Sequence, residues 1–304
     1  MDYRLPGHFA ALFTILIWGT TFIATKLLLQ SFLPVEILVY RCLFGLLTLY
    51  VLCPKLLRLR NWRRELVFAA AGLTGSCLYF LLENIALTYT TAANVAIIIA
   101  ATPMVTALLA WWTGTEPRPG KSFFAGFVIA ICGIAIISFR GAAEISFNWK
   151  GDVLALIATF VWGTYSLLVK RIAGYGINIL QTTRRTIFYG LLFMIPIALR
   201  MGFRWGAERL TEGSNLPLLL YLGIGASALC FASWSVAVKR LGLVRTSLYL
   251  YVSPVITMVC SVLVLKEHMT GAALLGAGMT LSGLIISQAQ TLCGNKKAPS
   301  EKNG

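Results

Sequence analysis

The chain has 304 residues, of which 58% are hydrophobic and 12% charged, and its mean hydropathy is +0.79. A soluble domain carries about 25% charged residues, so a water-facing surface of this size is excluded. The net charge of +15 would suggest nucleic acid in a soluble protein, but here the basic residues cluster between apolar runs, as in KLLRLRNWRR, which excludes that partner class.

The first apolar run, about 9–29, has only Arg4 ahead of it and no small-residue cleavage site after it. It reads as a retained membrane helix and not as a signal peptide. It carries the phrase WGTTFIATK, Trp18–Lys26. A bilayer core of about 30 Å needs about 20 apolar residues in a helix. By that measure the predicted spans are 9–29, 34–53, 66–88, 92–113, 121–140, 151–170, 178–200, 216–238, 243–265 and 270–289. The apolar runs are continuous and do not alternate, so a β-barrel is excluded. The tail 291–304 is polar and predicted to be disordered.

Orientation follows from the short loops. With a cytoplasmic N-terminus, the inside segments hold sixteen basic residues: Arg4, Lys55, Arg58, Arg60, Arg63, Arg64, Arg118, Lys121, Lys170, Arg171, Lys239, Arg240, Arg245, Lys296, Lys297 and Lys302. The outside loops hold six: Arg140, Lys150, Arg200, Arg204, Arg209 and Lys266. Both termini are expected inside.

The opening phrase recurs 144 positions on as WGTYSLLVK, Trp162–Lys170, and Arg185 follows Arg41 at the same offset. At an offset of 151, Gly72 matches Gly223, Ala86 matches Ala237, Pro103 matches Pro254 and Glu116 matches Glu267. Gly126 and Gly133 match Gly276 and Gly283 one residue out of that phase. The fold class is therefore an all-α integral membrane protein of ten transmembrane helices, in two five-helix repeats at 1–143 and 144–290. Five is odd, so the second repeat enters the membrane inverted. Inverted repeats mark secondary transporters, with the substrate site at the interface of the halves.

These motifs together resemble a known family. WGTTF, Arg41 in YRCLFGLL, the stretch Ala86–Trp112 with Glu116, and Leu248–Glu267 are similar to the EamA family of the drug/metabolite transporter superfamily. The resemblance covers about 8–290. It implies a ten-helix carrier whose central cavity is lined by the first four helices of each half, with the fifth helices peripheral. It implies small-metabolite substrates, amino acids among them, often moved outward. This sequence departs from the family's Gly-Glu after the fourth helix: it has Gly114-Thr115-Glu116 in one half and Lys266-Glu267 in the other.

Glu83 is the one carboxylate deep in an apolar run. Intramembrane ionisable groups are expensive and face a cavity or a partner. Glu83 is thus a candidate contact for a substrate amine, a candidate site for a coupling proton, or the ion-pair partner of Arg41. Trp18, Tyr79, Trp162, Tyr165, Trp234 and Tyr249 are candidate substrate-binding aromatics, suited to stacking or cation–π contact. For any one of them taken alone, packing is the simpler reading. Arg41, Arg185, Pro103 and Pro254 are structural or gating candidates, the prolines because they remove a backbone hydrogen bond in mid-span. The glycines of the fifth and tenth spans read as packing positions, and Lys26 and Lys170 as interfacial anchors. His8 and His268 lack metal-ligand company, and the seven scattered cysteines read as small buried hydrophobes. GTEPRPGKS approaches the phosphate-loop pattern but has one residue too many and lies between membrane helices. No cofactor, metal or catalytic constellation is expected. The expected partners are a small-molecule substrate, the lipid bilayer and a coupling proton. A drug or organic-cation carrier is the alternative transporter; a membrane receptor or enzyme is the alternative outside transport.

Overall fold

The computed structural model describes residues 5–55, 57, 61–140, 149–241, 246 and 249–294. Arg4, Arg58, Arg60, Arg245, Lys296, Lys297, Lys302 and most of the predicted tail lie outside the described residues. All regular structure among the described residues is helical. The helical runs are α1 (Leu5–Leu28), α2 (Pro34–Leu52), α3 (Trp62–Tyr89), α4 (Ala92–Trp112), α5 (Lys121–Arg140), α6 (Trp149–Ala173), α7 (Ile179–Arg200), α8 (215–241), α9 (Tyr249–Leu265) and α10 (Gly271–Gly294), with a short turn of helix at Ala207–Thr211 before α8.

Six of these contain stretches long and apolar enough to cross a membrane: α1, α2, α3, α4, α6 and α8, with mean hydropathies of 1.6 to 2.0. The chain ends them with local chemistry. Pro34 opens α2 with its φ preset, and the Glu36 carboxylate accepts from the Leu33 N–H (2.8 Å). Thr91 caps α4 by accepting from Asn94 N–H (3.2 Å), and Asn178 caps α7 by accepting from Leu180 N–H (2.9 Å). At their far ends, Gly114 (φ 67°) and Lys266 (φ 56°) both adopt the left-handed conformation that stops a helix.

Several irregularities interrupt the long helices, a π-helical end of α9 at Ser261–Leu265 among them. α3 winds as a π-helix at Gly72–Leu78 and α8 at Tyr221–Leu229. The two share Gly, Ser and Leu 151 positions apart, at Gly72/Gly223, Ser76/Ser227 and Leu78/Leu229. Pro103 and Pro254, expected in mid-span where proline tends to kink a helix, each stand instead at the start of a helical segment. Pro103 sits at the start of a second segment after α4 breaks at 100–101, and Pro254 likewise starts an α segment after a 3-10 turn at Tyr249–Val252.

Packing crosses the sequence halves. α1 lies against α8 and α9, and α2 against the π segment of α8. In the same pattern α6 lies against α3 and α4, and α7 against the π segment of α3. α2 meets α7 between these groups, and α5 packs along α10. The helix crossings are close because glycine carries them. A Cβ on Gly45 would stand 3.1 Å from the Gly223 carbonyl, and one on Gly190 would stand 3.1 Å from the Gly72 carbonyl.

Candidate functional site

The two WGT phrases place Trp18 on α1 and Trp162 on α6, and their rings meet edge-on, with centroids 6.5 Å apart. Around them a continuous aromatic cluster forms. Trp18 packs on Trp234 (5.3 Å) and Phe231 (5.7 Å); Trp162 packs on Tyr79 (4.5 Å), Tyr165 (5.0 Å) and Phe80 (6.3 Å). Trp18 is oriented by donating its indole N–H to the Ala226 carbonyl (3.1 Å). Five of the six predicted aromatics are therefore together: Trp18, Tyr79, Trp162, Tyr165 and Trp234. Their convergence needs close helix approach, since a Cβ at Gly75 would fall 2.3 Å from the Tyr165 ring.

Tyr249 is the exception. It lies at the start of α9, where its hydroxyl meets His8 Nδ1 (2.5 Å). It stands apart from the cluster, at the first residues of α9.

Glu83 and Arg41 lie behind the rings, with 2% and 3% of their surfaces exposed. Each feels the other's charge, yet they do not form a close ion pair. Glu83 lies one helical turn after Tyr79 on α3, on the same face, and the two groups interact electrostatically, which places the acid beside the cluster. Arg41 donates from Nε to Ser227 Oγ (2.8 Å), and its guanidinium carbon stands 3.9 Å from the Phe80 ring centroid. Ser227 and Phe80 were not anticipated. The match of Ser76 with Ser227 at the 151 offset was the available signal for the first. Asn84, beside Glu83, faces elsewhere and donates to the Pro34 carbonyl (3.1 Å).

Arg185 does not repeat the setting of Arg41. It forms an ion pair with Glu65 and shares that carboxylate with the Tyr189 hydroxyl (2.8 Å). Lys26 is also more than an interfacial anchor: its ammonium donates to the carbonyls of Leu87 and Thr90, both at 2.6 Å. Lys170 forms an ion pair with Glu116. Among the described residues no group of three metal-ligating side chains gathers. What the cluster offers is a set of π faces beside one carboxylate and one guanidinium, groups that hold ammonium and carboxylate ligands and suit binding.

The model of the EamA-like transporter family matches this chain twice, over residues 5–139 and 149–288. The chain belongs to that family. Its members and this chain's relatives are named as transporters, so this protein is a membrane transporter and not an enzyme. It is 29% identical to an uncharacterized transporter of Archaeoglobus fulgidus, covering 93% of this chain and 97% of that one. It is 26% identical to a probable terminal-alkyne amino-acid exporter of Streptantibioticus cattleyicolor, covering 95% of each. It is 24% identical to a probable amino-acid metabolite efflux pump of Salmonella typhimurium, covering 92% and 93%. One crystal structure superposes over 97% of this chain and 100% of its own, with a TM-score of 0.66 at 19% identity, which is a likeness of fold.

Proposed function

We propose that this EamA-like transporter is a secondary-active carrier of the inner (plasma) membrane that exports amino acids or related small metabolites. The observation that carries this reading is the meeting of Trp18 and Trp162, counterparts in the two halves, in one aromatic cluster with the buried Glu83 one helical turn from Tyr79. Aromatic faces and a carboxylate suit an ammonium group, and Arg41 nearby suits a carboxylate. The printed names of two relatives, an amino-acid exporter and an amino-acid metabolite efflux pump, support the substrate class and the direction.

The carrier works by alternating access of two inverted five-helix halves, 1–143 and 144–290, giving ten membrane crossings with both termini cytoplasmic. Inversion is supported by the packing pattern, in which α1 against α8 and α9 is answered by α6 against α3 and α4. The excess of Lys and Arg on one set of loops supports the orientation. Glu83 serves the substrate amine or a coupling proton.

The test is counterflow in proteoliposomes with a panel of amino acids, amines and phosphorylated compounds. Amino-acid exchange that Trp18→Ala and Trp162→Ala abolish is the expected result. Exchange of organic cations alone would favour a drug or organic-cation carrier, a reading that Glu83 and the aromatics also support. No exchange of any solute by the folded protein would overturn both.

A further inference from the structure

Lys26 and Lys170 are counterparts at an offset of 144, and Glu116 and Glu267 at an offset of 151. The same two residue types thus stand at the end of the bundle holding the α3–α4 turn and at the end holding the α4–α5 turn. They do different things there. At the first end, Lys26 from α1 donates to the carbonyls of Leu87 and Thr90, which close α3. Glu267, following α9, accepts from the Ala92 N–H (3.1 Å), which opens α4. The two side chains feel each other's charge but each grips the α3–α4 turn, one its acceptors and the other its donor. The second Glu267 carboxylate oxygen is buried without a partner in the protein, beside a cavity of about 420 Å³ lined also by Lys26, Leu87, Thr88 and Leu265. At the opposite end, Lys170 and Glu116 pair with each other, with 45% and 52% of their side chains exposed.

α1 and α9 pack in one group of helices, α3 and α4 in the other. The Lys26 and Glu267 contacts therefore join the two groups, whereas the Lys170–Glu116 pair lies within one. We infer that the two Lys–Glu sets are exchanging clasps that set which side of the transporter opens. At the closed end the lysine and glutamate let go of each other and hold the turn of the opposite group; at the open end they pair in water. When the carrier switches, Lys26 pairs with Glu267. Lys170 and Glu116 then take hold of the end of α8, where Val238 and Leu241 are the counterparts of Leu87 and Thr90.

The chemistry suits a switch. In the clasped state backbone carbonyls and an N–H take the place of the opposite charge, and in the open state the two side chains pair. Charge-assisted bonds to a turn are stronger than an exposed ion pair, so each end prefers its clasp, and the two ends compete. A single conformation satisfies only one of them. This inference rests on the alternating-access reading, and it assigns four residues to that cycle that lie outside the aromatic cluster.

The test is hydrogen exchange by mass spectrometry on the full chain in lipid nanodiscs, without substrate. Lys26→Met should speed exchange at 87–92 about tenfold and slow it at the far end, around 110–116 and 166–173, by several-fold. Lys170→Met should have the opposite sign, with 87–92 better protected than in the parent protein. Lys26→Arg should keep the parent pattern. A change confined to the mutated end, or no change, would overturn the clasp. If Lys26→Met raises exchange along the whole chain, the milder Glu267→Gln replaces it, with the same reciprocal signs expected. Wild-type counterflow separates the two readings: reciprocal protection without any transport would sink the proposed function and leave the clasps standing, whereas transport without reciprocity would do the reverse.

Discussion

Deleting the Glu36 carboxylate should destabilise the protein by about 3–5 kcal/mol, the cost of breaking a buried charge pair. Its side chain is 1% exposed. It accepts from the backbone N–H groups of Leu33 (2.8 Å) and Arg204 (3.0 Å), and from both terminal nitrogens of Arg209 (2.9 and 3.0 Å). Glu36→Ala removes all four acceptor contacts and leaves two backbone donors unpaired. Arg209 is not stranded, because it also donates to the carbonyls of Ser31 and Arg204 and is 28% exposed. Arg209→Met should therefore cost less, about 2–3 kcal/mol, and the double variant should show a coupling of about 2 kcal/mol. The hydrogen bonds it donates to Glu36 also hold the Arg209 guanidinium above its ordinary pKa. Its charge thus contributes stability that is fully present below that ordinary value, across the whole working pH range, and is lost only as pH rises through the raised value. Thermal unfolding in detergent, followed by circular dichroism for the four members of the cycle, measures these terms. A cost for Glu36→Ala below about 1 kcal/mol, the worth of an exposed pair, would refute the reasoning.

Three further outcomes are expected. Glu83→Gln should change transport or its pH dependence while membrane insertion stays normal; flux measured across the pH range in both directions, with insertion checked by blotting, decides it. Gly75→Ala should cost about 1–3 kcal/mol through its clash with Tyr165 and impair transport, and Tyr165→Leu should partly restore both when combined with it. Lys266→Gly should raise stability by about 1 kcal/mol, because φ of 56° is unfavourable for a residue with a Cβ; an unchanged midpoint in thermal unfolding would contradict this.

The helices were legible because continuous apolar runs leave few alternatives, and the predicted 34–53, 92–113 and 178–200 each fall within a residue of the observed α2, α4 and α7. The aromatic cluster was legible through the repeat, which put Trp18 and Trp162 in equivalent places before any contact was known. Tyr249 stands apart from the cluster, and its residue type alone could not say so. The π segments at Gly72–Leu78 and Tyr221–Leu229 were not legible: an extra residue per turn changes hydrogen-bond register, which hydropathy does not record. The partners of Lys26, Arg41 and Arg185 were missed for another reason. Each reaches a residue from another helix, and the spacing of charges within one helix cannot name it. Both halves place a left-handed residue shortly before the glutamate, Gly114 two residues ahead of Glu116 and Lys266 directly ahead of Glu267.

The contact between α5 and α10 carries a consequence for how such a chain arose. Gly126 meets Gly283, and Gly133 meets Gly276. In the repeat Gly126 corresponds to Gly276 and Gly133 to Gly283, so Gly126 touches the counterpart of Gly133, and Gly133 touches the counterpart of Gly126. That reciprocity is the signature of a two-fold, self-complementary interface. A five-helix segment on its own would carry both sides of this surface. Two copies of such a segment could associate through it before any covalent link joined them, and a link between the halves would fix the stoichiometry of an association that the glycine faces already specify.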